Sequence, residues 1–249
     1  MSTTAVTYIG GPTVLLEWAG LRIVTDPTFD PPQSYPERGS TTLVKTAGPG
    51  ILRTDLGRVD LVLLSHHTHK DNLDWEGLEL IAQGPTTIST REAASDLWGG
   101  SVQGLDDWES TTVGGATVTV VPALHVPPGY GYDPPVVGFV LQSPDAPTVY
   151  VSGDNSSLGL VEQIADNFPD IQLAILFAGA ARVPEIDADL TLGSAEAAEA
   201  ARLLGPRAVV GVHTADWAHF SQTREQLEAA FASTPGLLID TPKGLRVEL

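Results

Sequence analysis

Short apolar runs separated by glycine and proline dominate the first third of the chain. Val6-Thr7-Tyr8-Ile9, Val14-Leu15-Leu16-Glu17-Trp18 and Leu21-Arg22-Ile23-Val24-Thr25 are β-type runs, and Gly10-Gly11-Pro12 and Ala19-Gly20 punctuate them as turns. Residues 26–50 are rich in proline and glycine and show little periodicity, which predicts a long loop, functional or mobile. Leu61-Val62-Leu63-Leu64 is continuously apolar and predicts a buried strand. Asp74 is placed to cap a helix running to about residue 83, closed by Gly84-Pro85. Ser89-Thr90-Arg91-Glu92 reads as a capping box for a second helix that Gly99-Gly100 ends. Alternation resumes over 111–121 around a Gly114-Gly115 hairpin turn, and further strands are expected at 136–141, 148–151, 173–177 and 208–212. Helices are expected at 158–167, at 194–204 before Gly205-Pro206, and at 223–231, with short strands at the end.

The order is β-rich, mixed, β-rich, mixed, with no internal repeat and no linker. One domain over residues 1–249, with two β-rich layers and helices outside, accounts for it.

Composition narrows the function. Thirteen Lys and Arg against 31 Asp and Glu give a formal net charge of −18. Such a surface repels phosphate backbones and anionic headgroups, so neither nucleic acid nor membrane is an expected partner. The chain has no cysteine, which excludes disulfides, iron–sulfur clusters and thiolate zinc sites. Any metal would be held by nitrogen and oxygen. Neither a signal-like N-terminus nor an apolar run of the ~18 residues that a membrane span needs is present. The expected location is the cytoplasm.

The candidate chemistry lies at strand ends. Ser65-His66-His67-Thr68-His69-Lys70-Asp71-Asn72 directly follows the apolar run at 61–64, so three of the six histidines fall within four residues. Open α/β sheets present their ligands at the carboxyl ends of strands. Imidazoles with a carboxylate suit zinc, iron or manganese. His125, Asp154 and His213 each follow another apolar strand. Taken singly, each reads as a structural histidine or a turn-forming aspartate. Their recurrence is what a metal site built from several converging strands requires.

These residues resemble the metallo-β-lactamase superfamily, in particular its lactonase-type and phospholipase-D-like branch. The likeness spans nearly the whole chain: Gly10-Gly11-Pro12-Thr13, Thr25-Asp26-Pro27, the stretch from Leu64 to Asp74, Ser152-Gly153-Asp154, Phe177-Ala178-Gly179-Ala180-Ala181-Arg182, and His213 with Trp217-Ala218-His219-Phe220. The resemblance implies an α/β (α+β) fold, a four-layer αββα sandwich of two mixed β-sheets with helices on the outer faces. The family motif is His-x-His-x-Asp-His. Anchored on Asp71 it selects His67, His69 and Asp71, with Asn72 in place of the last histidine; anchored on Ser65 the first ligand is His66. The sequence leaves that choice open. By resemblance, His67 (or His66), His69 and His125 hold a first metal, Asp154 bridges, and Asp71 and His213 hold a second. An amide oxygen is a poorer ligand than imidazole, so Asn72 implies one tight metal, zinc first and iron or manganese otherwise, beside a weak second site. His219 is the reserve ligand.

The activity implied is hydrolysis of a small ester, lactone or phosphodiester by metal-activated water, with Asp71 orienting the water or taking its proton. Arg182, His219 and Asn72 are candidate substrate contacts, and Tyr130 and Tyr132 candidate lining residues. Two alternatives stand beside it: a non-hydrolytic rearrangement or cyclisation on the same fold, and a decayed site that serves only to bind. The expected partner is a small-molecule substrate, and a homodimer is the family's suggestion.

Overall fold

Leu61 and Leu63 pack into one apolar cluster and Val62 and Leu64 into another, because successive strand residues face opposite sides of a sheet. That period of two, repeated strand after strand, sets the layering. The computed structural model describes residues 3–36, 41–97, 101–131 and 134–249. It begins with β1 (Ala5–Gly10), β2 (Thr13–Trp18) and β3 (Leu21–Thr25), then a separate hairpin of β4 (Gln33–Pro36) and β5 (Thr42–Lys45). Next come β6 (Leu61–Leu63), α1 (Trp75–Ala82), β7 (Thr86–Ser89), α2 (Arg91–Asp96) and β8 (Ser101–Gly104). The second half brings β9 (Ser110–Val113), β10 (Ala116–Pro122), β11 (Val137–Ser143), β12 (Ala146–Val151), α3 (Leu158–Asn167) and β13 (Leu173–Phe177). It ends with α4 (Ser194–Leu204), β14 (Ala208–Val212), α5 (Arg224–Ala230) and β15 (Arg246–Glu248).

One sheet has the order β15-β1-β2-β3-β6-β7-β8 and the other β14-β13-β12-β11-β10-β9. Both are mixed: β3, β6, β7 and β8 pair in parallel, as do β12, β13 and β14, and the remaining pairs are antiparallel. Between the sheets lies a core that includes Leu16, Ile23, Leu63, Phe139, Val151 and Phe177. On its outer face the second sheet is covered by α3, α4 and α5 through Val161, Ala197 and Leu227, and the first sheet by α1 through Leu80 and Ile81. This is the αββα sandwich.

Strand direction places the chemistry. β11 runs against both β10 and β12, so β10, β12, β13 and β14 all point the same way and end at one edge. The ends of the two sheets meet there, with Val137 N donating to Ser65 O at 3.1 Å and His213 N to Gly11 O at 2.8 Å.

Three local expectations are corrected. The 26–50 stretch is not irregular throughout but carries the β4–β5 hairpin. Thr90 rather than Ser89 caps α2, accepting from Ala93 N, and α2 ends at Asp96; Gly99 and Gly100 lie outside the described residues. The strands β7 and β8, too short and too polar to stand out from the helical pattern, complete the edge of the first sheet.

Candidate metal centre

After β6 the chain turns tightly, with the backbone N–H groups of Asn72 and Leu73 both donating to His69 O. Asp74 then caps α1 by accepting from Gly77 N. This loop presents His66, His69 and Asp71 at the shared edge, where the ends of β10, β12 and β14 deliver His125, Asp154 and His213. The donor atoms of His66, His69 and His125 lie within 4.8 Å of one another, as do those of Asp71, Asp154 and His213.

The backbone bends to achieve this. Gly153, at φ 56°, sits where an added Cβ would be 2.4 Å from Val137 O, so only glycine lets Asp154 follow β12 this closely. A Cβ on Gly179 would be 1.9 Å from His213 O. His213 itself holds φ 61° and Asp26 φ 29°, conformations sparsely populated by residues with side chains and characteristic of functional sites.

Hydrogen bonds settle which ring nitrogens are free. Asp26 Oδ1 accepts from Ser65 N and from Ser65 Oγ, both at 2.8 Å. Having given its proton to Asp26, Ser65 Oγ can only accept from His66 Nδ1–H, 3.0 Å away. The lone pair of His66 is therefore on Nε2, which lies 3.0 Å from His69 Nδ1. His125 Nδ1 donates to Leu190 O at 2.8 Å, leaving its Nε2 as acceptor. Burial, reinforced by the neighbouring His69 and His125, holds the His66 imidazole well below its ordinary pKa. Burial and then His125 take His69 down to about 4. His66 and His69 held neutral in this way are what a metal ion needs.

The second triad has the complementary electrostatics. Burial alone would raise the Asp71 carboxyl, but His219 and His213 hold it well below the usual carboxylate range. His219 Nε2 lies 2.9 Å and His213 Nε2 3.3 Å from Asp71 Oδ2, and His213 Nε2 is 3.9 Å from Asp154 Oδ1. Burial pushes the Asp26 carboxyl up against the pull of the Ser65 hydroxyl, and the charge of Asp154 adds to the rise. Asp154 Oδ2, both ring nitrogens of His213, His219 Nδ1 and Asn72 Oδ1 are buried without a hydrogen-bond partner. Buried polar atoms are rarely left so. Their convergence on acidic and imidazole donors fits a bound cation, and the donor set fits a borderline divalent metal.

His67 is not part of either triad. Its Nε2 lies 3.2 Å from Asp96 Oδ2 at the start of the protein's outer surface, so the register anchored on Ser65, with His66, is the one the geometry brings together. The loop between His66 and His69 is one residue longer than the motif spacing, and the extra residue turns His67 outward. Asn72 lies within the site, its Nδ2 donating to Asp154 Oδ1 at 3.1 Å. Arg182 is not brought to the site: half-exposed, it pairs with Asp189 and does not line the cavity. Tyr132 lies outside the described residues, whereas Tyr130 lines the cavity.

That cavity, of about 630 Å³, opens over His69, Asp71, His125 and His219. The hairpin forms one wall through Pro36, Thr41 and Leu43. Sequence reasoning missed two contributors. Asp26 follows the apolar end of β3 as Asp154 follows β12, a signal that was readable. Lys45, a lone lysine in a polar hairpin, gave none: it is buried and pairs with Asp74 Nζ-to-Oδ2 at 2.8 Å.

Comparison with known proteins is consistent with this geometry. A family model described as a beta-lactamase superfamily domain matches residues 21–214. A protein of Caldivirga maquilingensis named a metal-dependent hydrolase is 28% identical over 230 residues, covering 89% of this chain and 85% of its own. Among solved structures, a possible metal-dependent hydrolase from Veillonella parvula superposes with a TM-score of 0.86 at 20% identity over the full length of both chains. An isothiocyanate hydrolase from Delia radicum gut bacteria gives 0.82 at 19% identity, covering 98% of each.

Proposed function

This chain belongs to the beta-lactamase superfamily, and from that premise we propose that it is a metal-dependent hydrolase of a small ester, lactone or phosphodiester. The observation that carries the reading is the pair of donor triads, one of three imidazoles and one of two carboxylates and an imidazole, reached through a cavity that His69, Asp71 and His125 line. His66, His69 and His125 would hold the tight metal, with zinc the best match to three imidazoles. Asp71, Asp154 and His213 would hold a second, weaker one. The Asn72 Nδ2 donates to Asp154 Oδ1, and its Oδ1, an amide oxygen, is a poorer ligand than the imidazole of the family motif.

When bound, a divalent ion would lower the pKa of a water in contact with it towards neutrality and polarise a carbonyl or phosphoryl oxygen. The chain's own residues do the rest. Asp71, kept ionised by His219 and His213, accepts a hydrogen bond from the attacking water and fixes its orientation. His219, bonded through Nε2 to Asp71, lines the cavity and is placed to contact the substrate. The Asp26–Ser65–His66 relay holds the first imidazole in the ligating tautomer. A cavity of this size suits a small molecule in the cytoplasm rather than a polymer.

The test is metal content by elemental mass spectrometry, followed by turnover of an ester, lactone and phosphodiester panel that also includes an isothiocyanate. Close to one tightly held ion per chain with turnover of at least one class supports the reading. Asp71→Asn is expected to keep that ion and lose activity by at least about 100-fold. Full activity in that variant, or a chain that refuses metal, would overturn it.

A further inference from the structure

The second triad supplies three donors, whereas a zinc-like ion held in a stable site takes four ligands. Asn72 spends its Nδ2 on Asp154 Oδ1 at 3.1 Å and on Ser65 Oγ at 3.4 Å, and the oxygen it has left is a poor ligand. His219 is better placed. Its Nε2 lies 2.9 Å from Asp71 Oδ2, and His213 Nε2 lies 3.3 Å from the same oxygen, so two imidazoles converge on one carboxylate. Nitrogen and oxygen bonds to a tetrahedral ion set neighbouring ligand atoms about 3.3 to 3.6 Å apart. Asp71, His213 and His219 stand within a few tenths of an ångström of that spacing.

The loop from His213 to His219 holds that ring in place. It bends through two left-handed residues, His213 at φ 61° and Asp216 at φ 76°, a strain that persists only where the surroundings enforce it. Asp216 enforces it: its Oδ2 accepts from Gly11 N at 3.0 Å and pairs with Lys243 Nζ at 2.9 Å, while its carbonyl accepts from Thr46 N at 2.7 Å. Beyond it, Ala218 N donates to Val44 O and His219 O accepts from Arg182 N. The Phe220 ring packs against both imidazoles, with centroids 4.1 Å from His213 and 4.6 Å from His219. A donor fixed in this way loses little freedom when it binds an ion. On the reading that the triads hold metal, we propose that His219 Nε2 is the fourth ligand of the second ion, beside Asp71, Asp154 and His213. The second site is then completed from the far end of the His213 loop instead of from position 72, where Asn72 serves to hold Asp154 in position.

The experiment titrates chelator-treated protein with zinc by calorimetry near neutral pH, in the wild type and in His219→Ala. The wild type is expected to take up two ions in two resolved steps. In His219→Ala the first step should stay, which also shows that the variant is folded, and the second should weaken by more than about 100-fold. That exceeds the roughly 10- to 100-fold that follows from removing an outer hydrogen-bond partner of a ligand. A smaller loss, or a wild type that takes up one ion only, would overturn the proposal. Diffraction at the zinc edge on zinc-soaked wild-type crystals needs no variant. A second ion bonded to His219 Nε2 supports the assignment; a second ion with His219 still hydrogen-bonded to Asp71 overturns it. The ester, lactone and phosphodiester panel, run beside these, separates the two readings. Two ions lost in the expected pattern with no turnover strike hydrolysis and leave the ligand assignment, whereas turnover with a second ion indifferent to His219 does the reverse.

Discussion

At the scale of single residues, the choice between His66 and His67 shows how much a ring's second nitrogen matters. His66 has the Ser65 hydroxyl on Nδ1 and its Nε2 beside His69, whereas His67 reaches out to Asp96. His66→Ala is therefore expected to lose the tight metal, and His67→Ala to keep it, with elemental analysis of both variants as the check. The same imidazoles make the metal-free protein sensitive to acid. The folded-state pKa of His69 is about 4, below the ordinary 6.5 of an unfolded chain. Between those values the unfolded chain takes up a proton that the folded one refuses. Stability is thus full above about pH 6.5 and falls as the pH is lowered to about 4, by about 3 kcal/mol for this residue. Denaturant titrations of chelator-treated protein across that window measure it; a flat profile would contradict the burial of these rings.

At the scale of elements, the β4–β5 hairpin has no sheet of its own to join and is held by its base. Lys45 is buried against Asp74, the cap of α1, and lies 5.5 Å from the Trp217 ring centroid. Tyr35 donates to Asp30 and stacks near Trp217, and Asp30 N donates to Asp74. Ala218 N donates to Val44 O, so the hairpin also grips the segment that carries His219. One buried ion pair therefore links the cavity wall, the loop of Asp71 and the loop of His219. Burial pushes the Asp74 carboxyl up while Lys45 pulls it down. Lys45→Met removes the counter-charge and leaves Asp74 buried and unpaired, which is expected to cost about 3–5 kcal/mol of stability. Chemical denaturation of Lys45→Met beside Lys45→Met/Asp74→Asn tests it. The double variant should recover part of the loss, because no buried charge is left over and the amide oxygen still accepts from Gly77 N.

At the scale of the whole molecule, the donor groups come from both sheets. His66, His69 and Asp71 follow β6 of one; His125, Asp154 and His213 follow β10, β12 and β14 of the other. A metal held by both sets would pin the two sheets together at one edge and would bind only the folded chain. At a free metal concentration a thousandfold above the dissociation constant, this linkage adds about 4 kcal/mol. For a chain of this size that raises Tm by roughly 8 to 16 °C. Calorimetric scans before and after chelation measure it, and an unchanged Tm would mean that the triads hold no ion. Among the described residues no helix is long and apolar enough to cross a membrane.

Much of this was legible along the chain because its physics is local. The period of two in the strands, the cap at Asp74 and the glycine closing α4 act within a few residues, and so the layered fold followed from the pattern. The rule that apolar strands end in donors picked out His69, Asp71, His125, Asp154 and His213, since a side chain's place at a strand end is itself a property of the sequence. What only the tertiary structure decided concerns groups distant in the chain. The direction of His67 depends on how one loop turns, and the burial of Lys45 on a carboxylate 29 residues away. The pairing of Arg182 with Asp189 rather than with the cavity depends on the path of a whole segment. Direction, partner and burial are properties of the assembled edge, where two sheets and a hairpin meet, and no single stretch of sequence contains them.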